Sequence, residues 1–403
     1  MKPVRRIAVV GGGPAGAFAA AELARAGREV LLFDEKLAWE KPCGGGLTDK
    51  AIARWPFLRD APVEHNWISH CELIAPSGRT ASFQLDREIA IFSRLAFNGL
   101  LLDRAREAGA YIRQERILGI EKSETGWNLR SHSGSYAADF VVLAAGARNS
   151  LRAHFSSRIC PENLMVAAGY YIPGHRPTVQ IKFLNGLHGY IWSFPRADHC
   201  SVGICGRMKD KSTAELRRLL EASLPELGFD ARGASFYAHI IPSLTPDALL
   251  STPISGDGWA MVGDAAGFVD AITGEGLYYA LRSAELLSGT LLVNAPESYS
   301  SLVRQDFLPE LERASRIAER FYSGDWLGGS VVERMVQLTN LSTSFRGVMQ
   351  DLFAGNQEYA DLRSRVSDSL PKILLEALAN AVRGNLGRSR TDSTRLVGAR
   401  NRT

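Results

Sequence analysis

The sequence predicts an α/β fold in three parts: a parallel-sheet domain built on a βαβ unit, a separate antiparallel-sheet domain, and a C-terminal helical region. Three observations predict it. The N-terminal stretch passes from an apolar run through a glycine turn into an alanine-rich helical pattern and then a second apolar run. From Met165 to Ile241 the pattern is mostly strands broken by turns, and from Tyr299 to about Arg383 helical periodicity dominates. A chain of 403 residues is too long for one simple core, so two or three domains are expected.

The first unit is VRRIAVVGGGPAGAFAAAELARAGREVLLFDEK: a buried strand, a turn, a helix ending at Gly27, and a second strand. Gly11, Gly13 and Gly16 form GxGxxG between the strand and the helix that opens at Pro14 and Ala15, and Asp34 follows Gly11 by 23 residues. Each glycine has a mechanical task in a Rossmann-like site: a tight turn, close approach of backbone to a pyrophosphate, and close contact of helix with strand. Asp34 would accept from ribose hydroxyls; Glu35 competes for that place, and strand register favours Asp34. FAD and NAD both remain open from this motif.

Downstream, a glycine-rich loop spans Cys43 to Gly46, and CELIAPSGRTASFQL alternates as strands about a turn at Ser77 and Gly78, where the chain leaves the first sheet. Helical spacing runs from Leu95 to Ala108, then hairpin strands lead to FVVLAAG, apolar enough to be central. A helix is expected near Thr213 to Leu224, a strand at WAMVGDAAG, and a helix at GEGLYYALRSAELLSGTLL. The expected domains are 1–165 with 255–300 for dinucleotide binding, 166–254 as a substrate sheet, 301–383 as helices, and 384–403 as a basic, disordered tail.

Composition is that of a globular protein, 45% hydrophobic and 22% charged, and the net charge of +4 does not imply nucleic-acid binding. Part of the excess sits at Arg383, Arg388, Arg390, Arg395, Arg400 and Arg402. This tail is compatible with peripheral contact on anionic lipid, although a solvated end is the ordinary outcome of such a composition. Cys43, Cys71, Cys160, Cys200 and Cys205 are odd in number, lack a CxxC spacing and follow no secretory signal, so free thiols in a reducing, cytoplasmic compartment are expected. No apolar run reaches the roughly 18 to 20 residues of a membrane span. His70, His188, His199 and His239 are scattered singly, without metal spacing, and read as structural.

GDAAGFVDAITGEGLYYAL resembles the second FAD fingerprint of the p-hydroxybenzoate-hydroxylase-like flavoproteins. The resemblance implies that Gly263 and Asp264 approach the ribityl chain, and that the turn at Gly274 and Gly276 and the helix start at Leu277 face the flavin; a helix N-terminus stabilises negative charge there. DFVVLAAGARNSLR resembles the middle motif of the same group, placing Ala145 and Gly146 at the cofactor, and Arg94 with FNGLL resembles its FAD-contacting arginine helix. Ala145, Asn98 and Ile272 depart from the usual Asp, Asp and Pro.

KPCGGGL, from Lys41 to Leu47, and GYIWSFP, from Gly189 to Pro195, resemble the signatures of geranylgeranyl reductases, flavoenzymes that saturate C=C bonds of prenyl chains. The resemblance covers roughly the first three hundred residues. It implies that Cys43, Gly44 and Gly45 lie against the flavin and that Tyr190, Trp192, Phe194 and Pro195 line a substrate cavity. The three rings alternate along a strand and so share a face, which fits either an apolar pocket or an aromatic core stripe. Cys205 stands where the family tends to have a glycine, a change able to reshape the cavity. Cys43 is either the catalytic proton donor or a small residue between rigid glycines.

The expected activity is FAD-dependent reduction of a prenyl chain carried by a lipid, quinone or pigment. The electron donor is external, NADPH or ferredoxin, and no second GxGxxG decides between them. A flavin monooxygenase or halogenase acting on an aromatic compound is the alternative; the halogenase motif Trp-x-Trp-x-Ile-Pro is broken here at Tyr190 and Phe194.

Overall fold

Strand β1 (Arg6–Val10) is buried over its last four residues in the computed structural model, which describes residues 4–326 and 328–398, with side chains as far as residue 380. Helix α1 (Pro14–Arg25) follows, with Pro14 in the first turn, where a missing N–H removes no helical bond. Its alanines keep the cylinder thin enough to pack closely on its neighbours. Then come β2 (Glu29–Phe33), β3 (Gly46–Leu47), α2 (Asp49–Arg54), β4 (His65–Ile74), β5 (Thr80–Phe92), α3 (Arg94–Glu107), β6 (Tyr111–Arg113), β7 (Gly119–Ser123), β8 (Gly126–Arg130), β9 (Ser135–Ala138) and β10 (Phe140–Leu143). The remainder contributes β11 (Leu164–Pro173), β12 (Thr178–Lys182), β13 (Ile191–Pro195), β14 (His199–Arg207), α4 (Thr213–Ser223), β15 (Ser235–Pro242), α5 (Pro246–Ser251), β16 (Ser255–Gly256), β17 (Trp259–Met261) and α6 (Leu277–Leu292). Helices α7 (Tyr299–Asp306), α8 (Leu308–Ser323), α9 (Val331–Leu341), α10 (Thr343–Ala354) and α11 (Tyr359–Gly398) close the chain.

The first sheet has the order β16-β17-β10-β1-β2-β6, parallel except at β16. Strand β10 is buried along its length between β1 and β17, the central place its apolar run predicts. Parallel pairing brings the carboxyl ends of β1, β2, β10 and β17 to one edge, where ligands of open α/β sheets bind. Helices α3 and α6 pack against α1 on one side.

The second sheet runs β15-β11-β14-β13-β12-β4-β5-β3. The expected boundary at residue 166 is corrected here, because β3, β4 and β5, from residues 46–92, belong to this sheet. The long β4–β5 hairpin cannot stand alone in water, and its β4 edge pairs in parallel with β12. One face, with Met165, Trp192, Cys205 and Tyr237, is covered by Tyr322, Val336, Phe345 and Met349 of the C-terminal helices. The other face, with Val166, Ile191 and Ile204, is covered by Leu216 and Leu220 of α4.

Backbone of the expected tail continues α11 as far as Gly398, and residues 399–403 lie outside the described residues. All five cysteines are free thiols, and among the described residues no helix is long and apolar enough to cross a membrane.

Candidate active site

The carboxyl ends of the parallel strands open onto a cavity of about 530 Å³. Val10 and Gly11 at the end of β1, Phe33 and Asp34 at the end of β2, Ala144 to Asn149 after β10, and Val262 and Asp264 after β17 all line it. Gly16 does not reach it, and its role is contact: a Cβ there would fall 1.9 Å from the Gly11 carbonyl oxygen, so only glycine lets α1 approach the turn this closely. A Cβ on Gly13, by contrast, would meet nothing within 4 Å and would project into the cavity. The first-turn amides of Ala15 and Gly16 have no carbonyl partner within the helix.

Asp34 is held from three sides, accepting from the backbone N–H of Gly12 at 2.7 Å and of Lys36 and Leu37 at 2.8 Å. Glu35 also lines the cavity but is half-exposed and pairs with Arg116 at 3.4 Å. On the opposite wall Lys41 Nζ lies 3.5 Å from Asp264, and Gly274, Gly276 and Leu277 bring the start of α6 to the cavity. Gly263 packs against Ala15 and Ala280 rather than lining the space. Pro14, Ala15, Cys43, Arg94, Ala145 and Gly146 complete the predicted residues found on its wall.

The residues present suit FAD. Lys36, Arg94 and Arg148 line the cavity and, among the described residues, make no ion pair, which matches a pyrophosphate. The vacant direction of a Cβ at Gly13 leaves room for it to come close.

Cys43 lines the cavity half-buried, and its Sγ accepts from the Gly45 N–H at 3.3 Å. Gly44 and Gly45 stand behind it. The Phe194 ring lies against Gly44 and Gly46, and Gly45, at φ +84°, approaches the Phe92 carbonyl so closely that a Cβ would sit 2.1 Å from its oxygen. The loop is therefore rigid for steric reasons.

A buried polar strut, absent from the sequence reading, fixes this loop. Arg196 is fully buried; its Nη2 donates to the Cys43 carbonyl at 2.7 Å, its Nη1 bonds Glu40, and His199 Nε2 is 3.2 Å away. The Ser201 hydroxyl donates to the same carbonyl at 2.9 Å, and Tyr171 donates to the Glu40 carbonyl. Glu40 accepts in turn from the N–H groups of Arg94 and Leu95, tying the loop to α3. Burial alone would raise the Glu40 carboxyl, but Arg196 and these N–H donors outweigh it and hold it below the ordinary range. The signal in the sequence was a charge directly after the buried strand of GYIWSFP.

Tyr190, Trp192, Phe194 and Pro195 do not line the cavity. Trp192 is 5% exposed in the core under the C-terminal helices, lying across Gly203, where a Cβ would fall 2.3 Å from the ring. Tyr190 packs edge-on to it and bonds the Thr273 carbonyl, and buried Cys205, its thiol pushed up to about 12 by burial, sits against the Tyr190 carbonyl. Helices α9 and α10 pack on β5 of the same sheet. His239, read as structural, lines the cavity from β15, and burial, with the Lys41 cation, pushes its pKa down to about 4.

Comparison with known proteins agrees with this geometry. Residues 47–290 match the family model described as FAD dependent oxidoreductase, and residues 9–40 match an NAD(P)-binding Rossmann-like domain. Digeranylgeranylglycerophospholipid reductase 1 of Methanopyrus kandleri is 28% identical over 87% of this chain and 99% of its own. The menaquinone reductase of Mycolicibacterium smegmatis is 28% identical over 77% of this chain and 83% of its own. A geranylgeranyl bacteriochlorophyll reductase-like protein of Thermoplasma acidophilum shares the fold, with TM-score 0.74 and 22% identity over 90% of this chain and 99% of that one; flavin-dependent halogenases share it at lower identity. With a nucleotide-type cavity at the sheet edge and a family model spanning more than half its length, the chain belongs to the FAD-dependent oxidoreductases, with geranylgeranyl and menaquinone reductases among its relatives.

Proposed function

We propose that the protein saturates C=C bonds of a prenyl chain carried by a lipid, quinone or pigment. The observation that carries this reading is that Cys43, on a sterically rigid loop, borders the same cavity as the Gly11–Gly13 turn and the start of α6. Bound and reduced, FAD supplies the hydride such a reduction needs. Gly13 and the amide of Ala15 would take its pyrophosphate, Asp34 a ribose hydroxyl, Asp264 the ribityl chain, and the N-terminus of α6 the charge on the ring.

The chain's own contribution is a proton and a fixed geometry. An unactivated alkene accepts hydride poorly, so the second carbon must be protonated as the first is attacked. The Cys43 thiol gives up that proton; the Gly45 N–H at 3.3 Å stabilises the thiolate left behind, and solvent restores it. His239 is neutral near pH 7 and therefore holds no proton to give as imidazolium. Arg196 and Ser201 keep the Cys43 backbone in place through its carbonyl. An apolar chain laid between the Cys43 loop and the Gly274 turn runs toward Phe194 and Tyr190, the two rings that touch these segments.

The test separates the half-reactions under anaerobic conditions, with NADPH and reduced ferredoxin each offered as donor and prenyl lipids and menaquinone as acceptors. Mass spectrometry should find product gaining two hydrogens per bond. Cys43→Ala should slow reoxidation of the flavin by prenyl substrate about a hundredfold while flavin reduction keeps its rate. A hydroxylated product formed with oxygen would replace this reading with a monooxygenase.

A further inference from the structure

We propose that the outward face of α11, together with the basic segment that ends the chain, docks the protein on an anionic membrane surface. The helix starts beside the active-site turn, where Tyr359 packs on Ala271 and Ile272. Its inward face is settled by contacts: Ile373 is fully buried, Glu376 accepts from the hydroxyls of Ser342 and Ser344, and Asn380 donates to the Leu341 carbonyl at 2.9 Å. The opposite face carries Pro371, Leu374, Leu375 and Leu378, all exposed, with Leu375 at 70% and Leu378 at 66%. Steps of three and four residues align them in one apolar stripe.

Charge decides what covers the stripe. Beyond Asn380 the sequence holds Arg383, Arg388, Arg390, Arg395, Arg400 and Arg402 against one acid, Asp392. Leucines followed by arginines complement acyl chains under anionic headgroups. A second copy of the chain would instead bring two arginine clusters together, and like charges oppose that pairing. At about 1.5 Å per residue, Leu374 lies about 22 Å along the helix from Tyr359, so a docked stripe keeps the active site near the bilayer.

Flotation of the full-length protein tests this with vesicles of phosphatidylcholine alone and of phosphatidylcholine with one-third phosphatidylglycerol. The protein should float with the anionic vesicles only, and should be released as salt rises from about 0.1 M to about 1 M, where the screening length shrinks from about 10 to about 3 Å. Arg388→Gln with Arg390→Gln and Arg395→Gln should lower partitioning about a hundredfold, roughly fivefold per charge. Leu375→Ser with Leu378→Ser should lower it at least about tenfold. No anionic binding, or binding indifferent to both sets, overturns the proposal. So does a dimer in sedimentation velocity that the leucine substitutions dissociate, since the stripe would then cover a second copy. Neither readout requires turnover, so failure of the reductase reading would leave this result untouched, and the reverse holds too.

Discussion

Replacing Arg196 with methionine removes the strut behind Cys43, and the structure sets the size of the effect. Breaking one partner out of a buried ion pair typically costs about 3 to 5 kcal/mol. Two features reduce that here. Glu40 keeps the N–H donors of Arg94 and Leu95, and its side chain is 24% exposed; the Cys43 carbonyl keeps the Ser201 hydroxyl at 2.9 Å. We expect a loss of about 2 to 3 kcal/mol, read as a lower urea midpoint at unchanged slope. The pH dependence is the sharper test. With Arg196 present the folded-state pKa of Glu40 is depressed, so its stabilisation is present above the unfolded value of about 4.3 and is lost as pH falls through the folded value. Without the guanidinium the Arg196 share of that depression is lost, so the deficit of Arg196→Met should be largest near neutral pH and shrink in acid. Combining it with Glu40→Gln should cost less than the two single changes added together. A deficit below about 1 kcal/mol, or one that does not vary with pH, would refute the strut.

Gly13→Leu should leave stability almost unchanged and abolish FAD binding, because its side chain enters open cavity; Gly16→Ala should lose folding and flavin together, because its Cβ would meet the Gly11 carbonyl at 1.9 Å. Equilibrium unfolding beside flavin absorbance distinguishes the two, and full flavin in Gly13→Leu would disprove the pyrophosphate cradle. Trp192→Ala should cost about 3 to 5 kcal/mol as a core truncation; unchanged stability with lost lipid turnover would return that ring to a substrate cavity. His239 carries a lowered pKa, so protonation opposes folding, and stability should fall as pH drops from the ordinary 6.5 toward about 4, by at most about 3 kcal/mol. His239→Gln should flatten that window, and an identical pH profile would show that other groups cause it.

Much of the site was legible locally. Gly11, Gly13, Gly16 and Asp34 could be read because a strand, a turn, a helix and a strand lie within thirty residues, and the mechanical demands on each glycine act over neighbouring backbone. The second fingerprint at Asp264 to Leu277 was legible by resemblance, and the parallel register of β1, β2, β10 and β17 explains why distant segments meet at one edge. Periodicity likewise determined the C-terminal helices.

What only tertiary structure decided depends on partners far apart in sequence. The β4–β5 hairpin joins the second sheet because β12, about a hundred residues later, satisfies its edge. Arg196 becomes a strut through Glu40 and Cys43, each more than 150 residues away. His239 reaches the cavity because β15 pairs with β11, and no spacing around it records that. The alternation of Tyr190, Trp192 and Phe194 predicts one shared face, but what each ring touches was decided by long-range packing: Phe194 lies on Gly44 and Gly46, Trp192 crosses Gly203, and Tyr190 bonds the Thr273 carbonyl. Strand periodicity specifies a face; long-range packing specifies what that face touches.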